Sequence, residues 1–411
     1  MATNVNNRNR QPKGTSKGGQ FAPETHATAP NDLDVGGNET EATIVERYDN
    51  GNPKREQWRN SNGDLDRADG PADITYWPDG AIKSEEWYQN GKKHRLNGPS
   101  TIKYSDSGNI RQEQWWKDGQ QHRTDGPASI GYYKNGDVRI EVWCQHGRCH
   151  RVDGPSRVNY TIYGTIEHEE WFQDGQLHRE NAPSIIKYHE YGNIKEETWF
   201  QNGDIHRDNG PARTYYNQNG DVEREEWYQN GELHRTDEPA IIGYDRNGNV
   251  EREEWYQNGE LHREGGPALT GHRLHYPTDD IYKIEKWYKR GMLHRTDGPA
   301  YIYYRPDGTI QTESRMQDRK HHRAEGSAKI THESTGQSRS EIWYQDGQRH
   351  RTDGPAYTEY DEDGKIMTEE WYRDNNLDRA GGPAQVFYNP DGTIKSEQWW
   401  QYGEKTTPPA H

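Results

Sequence analysis

Glutamate, histidine and arginine recur together along the chain in a combination that could perform acid–base chemistry. Glu225, His234 and Arg235 form one such set, and equivalent residues return about every 28 residues. A carboxylate beside an imidazole can transfer protons, and a guanidinium can stabilise developing negative charge. Catalysis, however, needs one preorganised pocket, whereas this set is copied at least ten times. We therefore interpret the set as structural and predict that the protein is not an enzyme.

The structural interpretation is a ladder of side chains that repeats along the chain. We expect the Trp side chains to stack on one another and to bury aromatic area. Glu should pair with Arg between neighbouring strands, Arg should lie over Trp, and His should donate to a backbone carbonyl or to Glu. In one repeat the ladder residues are Glu225, Trp227, His234, Arg235, Pro239 and Tyr244. Multivalent ligand binding by the same columns is the alternative.

Two cysteines, Cys144 and Cys149, flank a four-residue turn and have His146 and His150 beside them. The spacing is compatible with a zinc site. It is also compatible with a disulfide across a hairpin. Four ligands around one tight turn are difficult to arrange tetrahedrally, so we favour free thiols and predict no cofactor. The zinc site and the disulfide stay open as alternatives.

A repeat of 28 residues accounts for nearly the whole chain, and it can be aligned on one Trp position. Thirteen starts fit, and twelve of them carry Trp. The starts are Trp58, Trp87, Trp115, Trp143, Trp171, Trp199, Trp227, Trp255, Trp287, Arg315, Trp343, Trp371 and Trp399. Glu lies two residues before every start, and Arg follows in every complete repeat. Pro lies four residues after that Arg in eleven of the twelve complete repeats.

The spacing within each repeat predicts two short antiparallel strands. Glu and the Trp two residues later share one face of a strand, and the residue between them is expected to face solvent. That intermediate column includes Gln57, Glu86, Gln114, Val142, Thr198 and Lys286. Asn-Gly and Asp-Gly pairs predict hairpin turns, and no window has the apolar periodicity of a helix. The expected fold is all-β, an elongated and coiled antiparallel meander of about twelve two-stranded repeats.

Composition limits the partners and the location that we expect. The chain has 411 residues, of which 28% are hydrophobic, and a formal net charge of −16. General nucleic-acid or anionic-membrane binding needs a basic surface, and no stretch is apolar enough to span a membrane. The absence of an apolar signal segment and the two cysteines favour a cytoplasmic monomer. We predict a disordered, mildly basic tail at 1–40, a repeat array at 41–403 that is irregular at 270–332, and a C-terminal tail at 404–411.

The consensus Y-x-x-x-G-x-I-x-x-E-x-W-Y-x-N-G-x-x-H-R-x-D-G-P-A resembles variant MORN-type repeats, which also occur in bacterial YwqK-like antitoxin proteins. The resemblance covers roughly residues 43–403, and its HRxDGPA half is an elaboration that simpler MORN repeats lack. It implies an immunity or antitoxin role. Residues 10–22, RQPKGTSKGGQFA, resemble a short N-terminal tag of many actinobacterial and actinophage proteins, which implies a phage-related protein.

The function that we predict is a non-enzymatic repeat scaffold that binds a protein partner along one face. Long, regular, aromatic-rich surfaces without a singular pocket suit that role. One alternative is a glycan-binding or cell-wall-binding array in which exposed Trp or Tyr stack on sugar rings. A second alternative is a phage structural or accessory protein, associated with the virion or released by lysis.

Residues 270–332 are where the repeat departs from its pattern. A four-residue insertion falls at residues 270–280, and in the next repeat Arg315, Arg319 and Ser327 replace Trp, Gly and Pro. Identical repeats give a partner no register, so we predict that a specific partner contacts this irregular region. The candidate contact residues are His272, His275, Tyr276, Asp279, Asp280, Arg315 and Arg319. The alternative is a decayed repeat that binds nothing.

Overall fold

The computed structural model describes residue 42 and residues 44–275 and 280–408, and the chain divides into two compact units. The first unit comprises residues 1–204 and 218–220, and the second comprises residues 205–217 and 221–411. The all-β prediction is confirmed, because no described residue lies in a helix. The described residues therefore include no helix that could cross a membrane. The predicted tail at 1–40 lies outside the described residues.

Each repeat contributes two strands to an antiparallel sheet, which we call the leading strand and the trailing strand; the trailing strand precedes the Trp position. The leading strands are Ile44–Arg47, Asp73–Tyr76, Thr101–Tyr104, Ser129–Tyr132, Arg157–Tyr160, Ile185–Tyr188, Arg213–Tyr216, Ile241–Tyr244, Leu269–His275, Tyr301–Tyr304, Lys329–His332, Tyr357–Tyr360 and Gln385–Tyr388. The trailing strands are Pro53–Gln57, Ile82–Glu86, Ile110–Gln114, Val138–Val142, Ile166–Glu170, Ile194–Thr198, Val222–Glu226, Val250–Glu254, Asp280–Lys286, Ile310–Ser314, Ser338–Ile342, Ile366–Glu370 and Ile394–Gln401.

Within each unit, successive strands pair in sequence order, as the predicted meander requires. In the second unit, Ile242 of a leading strand lies opposite Glu225 of the preceding trailing strand and opposite Glu253 of the following one. The first unit has the same register. A β-bulge between Gly243 and Tyr244 interrupts this hairpin, and equivalent bulges recur in most repeats. Such bulges bend a strand and increase its twist.

A second kind of hairpin, which we call the short hairpin, follows the Trp and adds to the two sheet strands predicted for each repeat. In one repeat Tyr228–Gln229 and Glu232–Leu233 form their own two-stranded sheet. The turn residues Asn230 and Gly231 have φ of 50° and 82°, the left-handed conformation of a type I′ turn. The strands of the other short hairpins are Tyr88–Gln89, Lys92–Lys93, Trp116–Lys117, Gln120–Gln121, Cys144–Gln145, Arg148–Cys149, Phe172–Gln173, Gln176–Leu177, Phe200–Gln201, Asp204–Ile205, Tyr256–Gln257, Glu260–Leu261, Tyr288–Lys289, Met292–Leu293, Met316–Gln317, Lys320–His321, Tyr344–Gln345, Gln348–Arg349, Tyr372–Arg373 and Asn376–Leu377.

Small side chains fill much of the interior. Ala72, Ala128 and Ala240, which follow the recurring Pro, are completely buried. The backbone N–H of Trp227 donates to the carbonyl of Ala240 at 2.7 Å, which ties the Trp of one repeat to the Ala of the next leading strand. Ser100, Ser156 and Ser184 occupy the same column in other repeats and are also completely buried, so only small side chains lie between these closely spaced backbones. A chain with only 28% hydrophobic residues can fill such a thin interior.

The column between Glu and Trp is buried or half-buried, so the prediction that it faces solvent is wrong. Gln57, Thr198 and Glu226 are 4%, 0% and 3% exposed. The short hairpin folds onto this side of the sheet, and the Tyr228 hydroxyl donates to the Glu226 carboxylate at 3.0 Å. The other members named in the prediction are half-buried: Glu86, Gln114, Val142 and Lys286. Each repeat therefore covers part of its own second face.

Two places depart from the regular repeat. The insertion lengthens one hairpin, in which Leu269–His275 and Asp280–Lys286 pair residue for residue without a bulge. Near the C-terminus, Glu404–Thr406 pairs with the end of Ile394–Gln401. Residues 404–406, which the sequence analysis assigned to the tail, thus form a strand.

Candidate functional site

A hydrogen bond between Tyr and Glu recurs on one face of the sheet. The Tyr244 hydroxyl, at the end of a leading strand, donates to Glu225 on the preceding trailing strand at 2.7 Å. Burial, and then this bond to a carboxylate, raise the pKa of Tyr244 to about 12. Equivalent bonds of 2.5–2.8 Å run from Tyr76 to Glu56, Tyr104 to Glu85, Tyr132 to Glu113, Tyr160 to Glu141, Tyr188 to Glu169, Tyr304 to Glu285 and Tyr388 to Glu369.

The recurring Arg lies over the Trp of its own repeat. The Cζ atom of Arg235 is 3.9 Å from the ring centroid of Trp227, and Nη1 of Arg235 donates to the Pro239 carbonyl at 3.2 Å. A guanidinium in this position is attracted to the negative face of the indole. The same stack, at 3.7–4.2 Å, joins Trp58 to Arg67, Trp87 to Arg95, Trp115 to Arg123, Trp143 to Arg151, Trp171 to Arg179, Trp255 to Arg263, Trp287 to Arg295, Trp343 to Arg351 and Trp371 to Arg379.

The Arg also explains the Gly of the recurring Asp-Gly-Pro, which the sequence analysis did not interpret. A Cβ added at Gly354 would lie 2.7 Å from Cζ of Arg351. A side chain there would require a small shift of the flexible guanidinium. One repeat has Glu238 at this position, and its carboxylate forms an ion pair with Arg235. Another repeat has Ala182 there, and Arg179 and Arg235 both keep a 3.9 Å stack on their Trp, so the close approach favours Gly without requiring it.

The structure gives several ladder residues partners that differ from the predicted ones. Glu225 binds Tyr244, whereas the ion pair of Arg235 is with Glu238. His234 was expected to donate to a backbone carbonyl or to Glu, but its Nδ1 lies 3.1 Å from the side-chain oxygen and 3.2 Å from the backbone nitrogen of Asn258. That residue opens the turn of the next short hairpin, so the imidazole links two repeats. The prediction that Arg lies over Trp is confirmed, and the guanidinium occupies the ring face on which a second Trp was expected to stack.

The first testable prediction concerns the Tyr–Glu bond. We expect Tyr244→Phe and Glu225→Gln each to lower the free energy of unfolding by about 1–2 kcal/mol, because the first removes the donor and the second replaces a charged acceptor with a weaker neutral one. The double variant should lose about 1 kcal/mol less than the sum, as measured by denaturant unfolding. Combining Tyr244→Phe with the distant Glu369→Gln is the additive control. Strict additivity of both pairs would show that the bond contributes nothing.

The two cysteines lie opposite each other in a short hairpin, and both are free thiols. The Sγ atoms of Cys144 and Cys149 are 3.6 Å apart. His150 belongs to a different contact, because its Nδ1 lies 3.4 Å from the carboxylate of Asp174. The described residues contain no group of three or more His, Cys, Asp or Glu side chains placed to hold a metal ion. The weak zinc possibility at Cys144, His146, Cys149 and His150 thus has no assembled ligand set.

The insertion carries five of the predicted partner contacts, and the structure places them unequally. His272 is an exposed residue of the strand Leu269–His275. His275 and Asp280 form the last backbone pair of the lengthened hairpin. Tyr276 and Asp279 lie outside the described residues. Contact of a partner with these residues stays a prediction.

Arg315 and Arg319 occupy positions where other repeats have Trp and Gly. Burial first, and then the positive charge of Arg323, lower the pKa of Arg315. Arg315 and Arg323 therefore repel each other at the position where other repeats stack Arg on Trp. Arg319 has φ of 67°, and its Nη2 donates to the carbonyl of Gly291 at 3.1 Å. This repeat keeps the backbone of the others and loses its aromatic stack.

The second prediction is that Arg315→Trp stabilises the protein. The new ring would restore a stack under Arg323 and remove a contact between like charges, which together should add about 1–2 kcal/mol to the free energy of unfolding. Denaturant unfolding at an unchanged m-value measures the effect. Arg246→Trp, at an exposed turn position, controls for adding an indole. If Arg315→Trp instead destabilised the protein, the side chains around this position would have to accommodate Arg better than Trp.

An open groove with three cationic side chains lies on the first unit. It has a volume of about 330 Å³ and is lined by Lys103, Arg111, Gln112, Gly131, Tyr132, Arg139 and Ile140. A Cβ at Gly131 would lie 2.8 Å from Cγ2 of Ile140, so this Gly leaves the floor of the groove open. Nη1 of Arg111 is buried without a hydrogen-bond partner. Because no carboxylate lines the groove, it can accept an anionic group.

Sequence reasoning missed this cationic groove because the net charge of the chain is strongly negative. A signal was present in the fourth residue before the Trp. In the first four repeats this residue is Lys54, Lys83, Arg111 and Arg139, whereas Glu167, Glu223 and Glu251 hold it later. The column is thus uniformly cationic in the first four repeats and mixed in charge afterwards, which an average over the chain conceals.

A second groove, of about 350 Å³, lies on the second unit within the irregular region 270–332. Tyr301, Tyr303, Met316 and His321 are among its lining residues. The imidazole of His321 stacks on Tyr344 with ring centroids 4.7 Å apart, and burial lowers the pKa of His321. This groove is therefore aromatic, in contrast to the cationic groove.

Comparisons with known proteins leave the function open. No protein-family model matches the chain, and no curated protein matches it. The solved structures "Crystal Structure of TcdB2-TccC3-Cdc42" and "Crystal Structure of TcdB2-TccC3" are similar over 84% and 88% of the chain, at 10% sequence identity and TM-scores of 0.12 and 0.13. The chain spans 20% and 23% of those chains. Similarity at these TM-scores carries no argument about fold or function.

Proposed function

We propose that the protein is a non-enzymatic repeat scaffold that binds a protein partner through an acidic surface of that partner. The observation that supports this function is the division between recurring and variable columns. Tyr244, Glu225, Trp227 and Arg235 represent the recurring columns, and they bind one another. Other columns vary between repeats and are largely exposed. One example is the fourth residue before the Trp, which is Lys54, Lys195 or Glu251 in three different repeats. A rigid frame that presents varied side chains is suited to recognition of a partner.

The cationic groove is the place where we expect the partner to bind. Lys103 and Arg139 are exposed, and Arg111 has a buried nitrogen without a partner. A carboxylate of the partner would form charge-assisted hydrogen bonds with the exposed Lys103 and Arg139. A long polyanion is disfavoured because the chain as a whole is negatively charged. A local acidic segment of a protein avoids that repulsion.

The third prediction tests this function with three forms of the full chain. These are the wild type, the groove variant Lys103→Glu/Arg139→Glu, and the control Lys195→Glu/Lys395→Glu, which makes the same charge change at exposed sites elsewhere. Each form is immobilised, exposed to an extract of the native source, and analysed by quantitative mass spectrometry. We expect a stoichiometric protein whose capture by the groove variant falls at least roughly tenfold, since close charge pairs contribute several kcal/mol.

The possible outcomes separate the function from the site. Equal capture by all three forms would move the contact away from the groove. Failure to capture any stoichiometric protein would contradict the scaffold itself. The identity of the captured protein also tests the immunity or antitoxin role that the YwqK-like resemblance implies, because an antitoxin should retain one toxin.

A glycan-binding array is the alternative that the aromatic groove favours, since Tyr301 and Tyr303 line it and sugar rings stack on aromatic faces. Under this alternative the wild type binds purified cell wall, soluble polysaccharide competes, and the groove variant binds equally well. Under the scaffold function the chain should not bind purified cell wall. The phage role rests on residues 10–22, which lie outside the described residues.

A further inference from the structure

One short hairpin brings two thiols together in a geometry that suits a disulfide. Cys144 pairs with Cys149, and the next pair inward, Gln145 with Arg148, flanks the two-residue turn. In such a hairpin the flanking pair exchanges the hydrogen bonds, so the cysteines occupy a non-hydrogen-bonded pair. Cα atoms in these pairs are about 4.5 Å apart, and disulfides span about 4.4–6.8 Å. The backbone spacing of a pair of this type therefore already falls within the Cα–Cα range of disulfides.

We propose that Cys144 and Cys149 form a reversible intramolecular disulfide by exchange with low-molecular-weight disulfides such as oxidised glutathione. Their Sγ atoms, 3.6 Å apart, need to approach to about 2.05 Å, which side-chain rotation can supply. Cys144 is 3% exposed, whereas Cys149 is half-buried. Cys149 is thus the sulfur that a small disulfide can reach, and Cys144 is the resolving thiol.

The electrostatic environment supports the same assignment of roles. The thiol of Cys144 donates to Cys149, and this bond lowers the pKa of Cys149 to about 7, with Arg157 acting in the same direction and burial opposing. The same bond, followed by burial, raises the pKa of Cys144. Near neutral pH a substantial fraction of Cys149 is therefore thiolate, which is the attacking species in exchange. Cys144 stays protonated until Cys149 has reacted.

The exchange consists of two steps. The Cys149 thiolate attacks one sulfur of the small disulfide, which forms a mixed disulfide and releases one small thiolate. Cys144 then loses its proton, and its sulfur attacks the sulfur of Cys149, which forms the intramolecular bond and releases the second small thiolate. Two protein thiols are oxidised, one small disulfide is reduced to two thiols, and these take up the two protons.

The position of the hairpin predicts what the disulfide changes. The carbonyl of Cys144 accepts the N–H of Arg123 in the preceding repeat at 3.1 Å, and the carbonyl of Cys149 accepts the N–H of Gly175 in the following repeat at 2.9 Å. The hairpin thus joins the repeats on either side of it. Closing a loop this short should slow local opening of its amides roughly tenfold or more. Oxidation therefore stiffens one joint of the array.

The test equilibrates the full chain in glutathione buffers from reducing to oxidising, alkylates free thiols and measures intact mass. We expect two alkylated cysteines at the reducing end, none at the oxidising end, no retained glutathione and full reversal. Hydrogen exchange at residues 145–149 should slow on oxidation. Cys144→Ser should instead retain one glutathione on Cys149. Cys144→Tyr/Cys149→Leu, which restores residues that other repeats carry at these positions, should fold and show no response.

Three results would overturn the proposal. In the first, the wild type keeps a glutathione adduct on Cys149 while Cys144 remains alkylatable, which would show that Cys144 does not act as a resolving thiol. Oxidation that yields only disulfides between two copies of the chain shows that the pair does not close. Two thiols that remain alkylatable at every glutathione ratio show that the site is not redox-active.

Discussion

Raising the pH from about 10 to about 12 is expected to unfold the repeat array. Tyr244, Tyr304 and Tyr388 have pKa values raised to about 12 from a usual value of 10.0, by burial first and then by the bond to Glu. A group whose pKa is higher in the folded state stabilises that state fully below its unfolded pKa, and the stability is lost as the pH rises towards its folded pKa. Many tyrosines share this environment, so the stabilisation of the folded state that each one loses on ionisation adds to that of the others.

A titration that follows tyrosinate absorbance and circular dichroism together measures this effect. We expect little ionisation of the hydrogen-bonded tyrosines while the sheet is intact, followed by ionisation that coincides with loss of the β signal. The chain in concentrated urea is the control, and its tyrosines should ionise around pH 10 without a lag. Smooth ionisation of all tyrosines with an unchanged β signal would contradict the account.

Trp227→Ala is expected to have the largest effect of any single substitution in the frame. It removes a half-buried ring on which Arg235 stacks, at a cost of about 3 kcal/mol in the free energy of unfolding. Trp227→Arg imitates the natural repeat at Arg315 and should also destabilise, because it exchanges a stack for a contact between cations. Both are measured by denaturant unfolding.

Trp77→Ala is the matched control for Trp227→Ala. Trp77 lies outside the Trp–Arg column and packs under Lys83, whose Nζ is 4.6 Å from its ring centroid. We expect this control to cost about 1–2 kcal/mol less than Trp227→Ala, because both rings are half-buried but only Trp227 has a guanidinium stacked on it. Equal costs for the two Trp→Ala variants would show that the Arg stack adds nothing to the frame.

The sequence predicts the local part of the fold because that part depends on neighbouring residues. The alternation around Glu225 and Ile242 indicates strands, and Asn230-Gly231 indicates a turn whose residues do have positive φ. The cover over Glu226 could not be predicted, because alternation shows which residues share a face and not what folds onto that face. The short hairpin that provides this cover is too brief to show a period of its own.

The partners within the candidate site were less predictable than its members. Glu225, Arg235 and Tyr244 recur equally, so recurrence could not decide whether Glu binds Arg or Tyr, and charge favoured the wrong choice. The cationic groove needed the pairing of strands, since Lys103 and Arg139 are far apart in sequence. The opposed cysteines, by contrast, follow from a tight turn alone, and both alternatives to free thiols were visible in their spacing.

Partner capture by a repeat-matched variant tests the central claim most directly, namely that recurring columns hold the frame and variable columns bind. Lys103→Thr, Arg111→Glu and Arg139→Glu together install the residues that later repeats carry at these positions, as at Thr331, Glu223 and Glu251. We predict that the free energy of unfolding changes by less than about 0.5 kcal/mol. Capture of the partner should nevertheless fall at least roughly tenfold. Undiminished capture by this equally stable variant would contradict the claim.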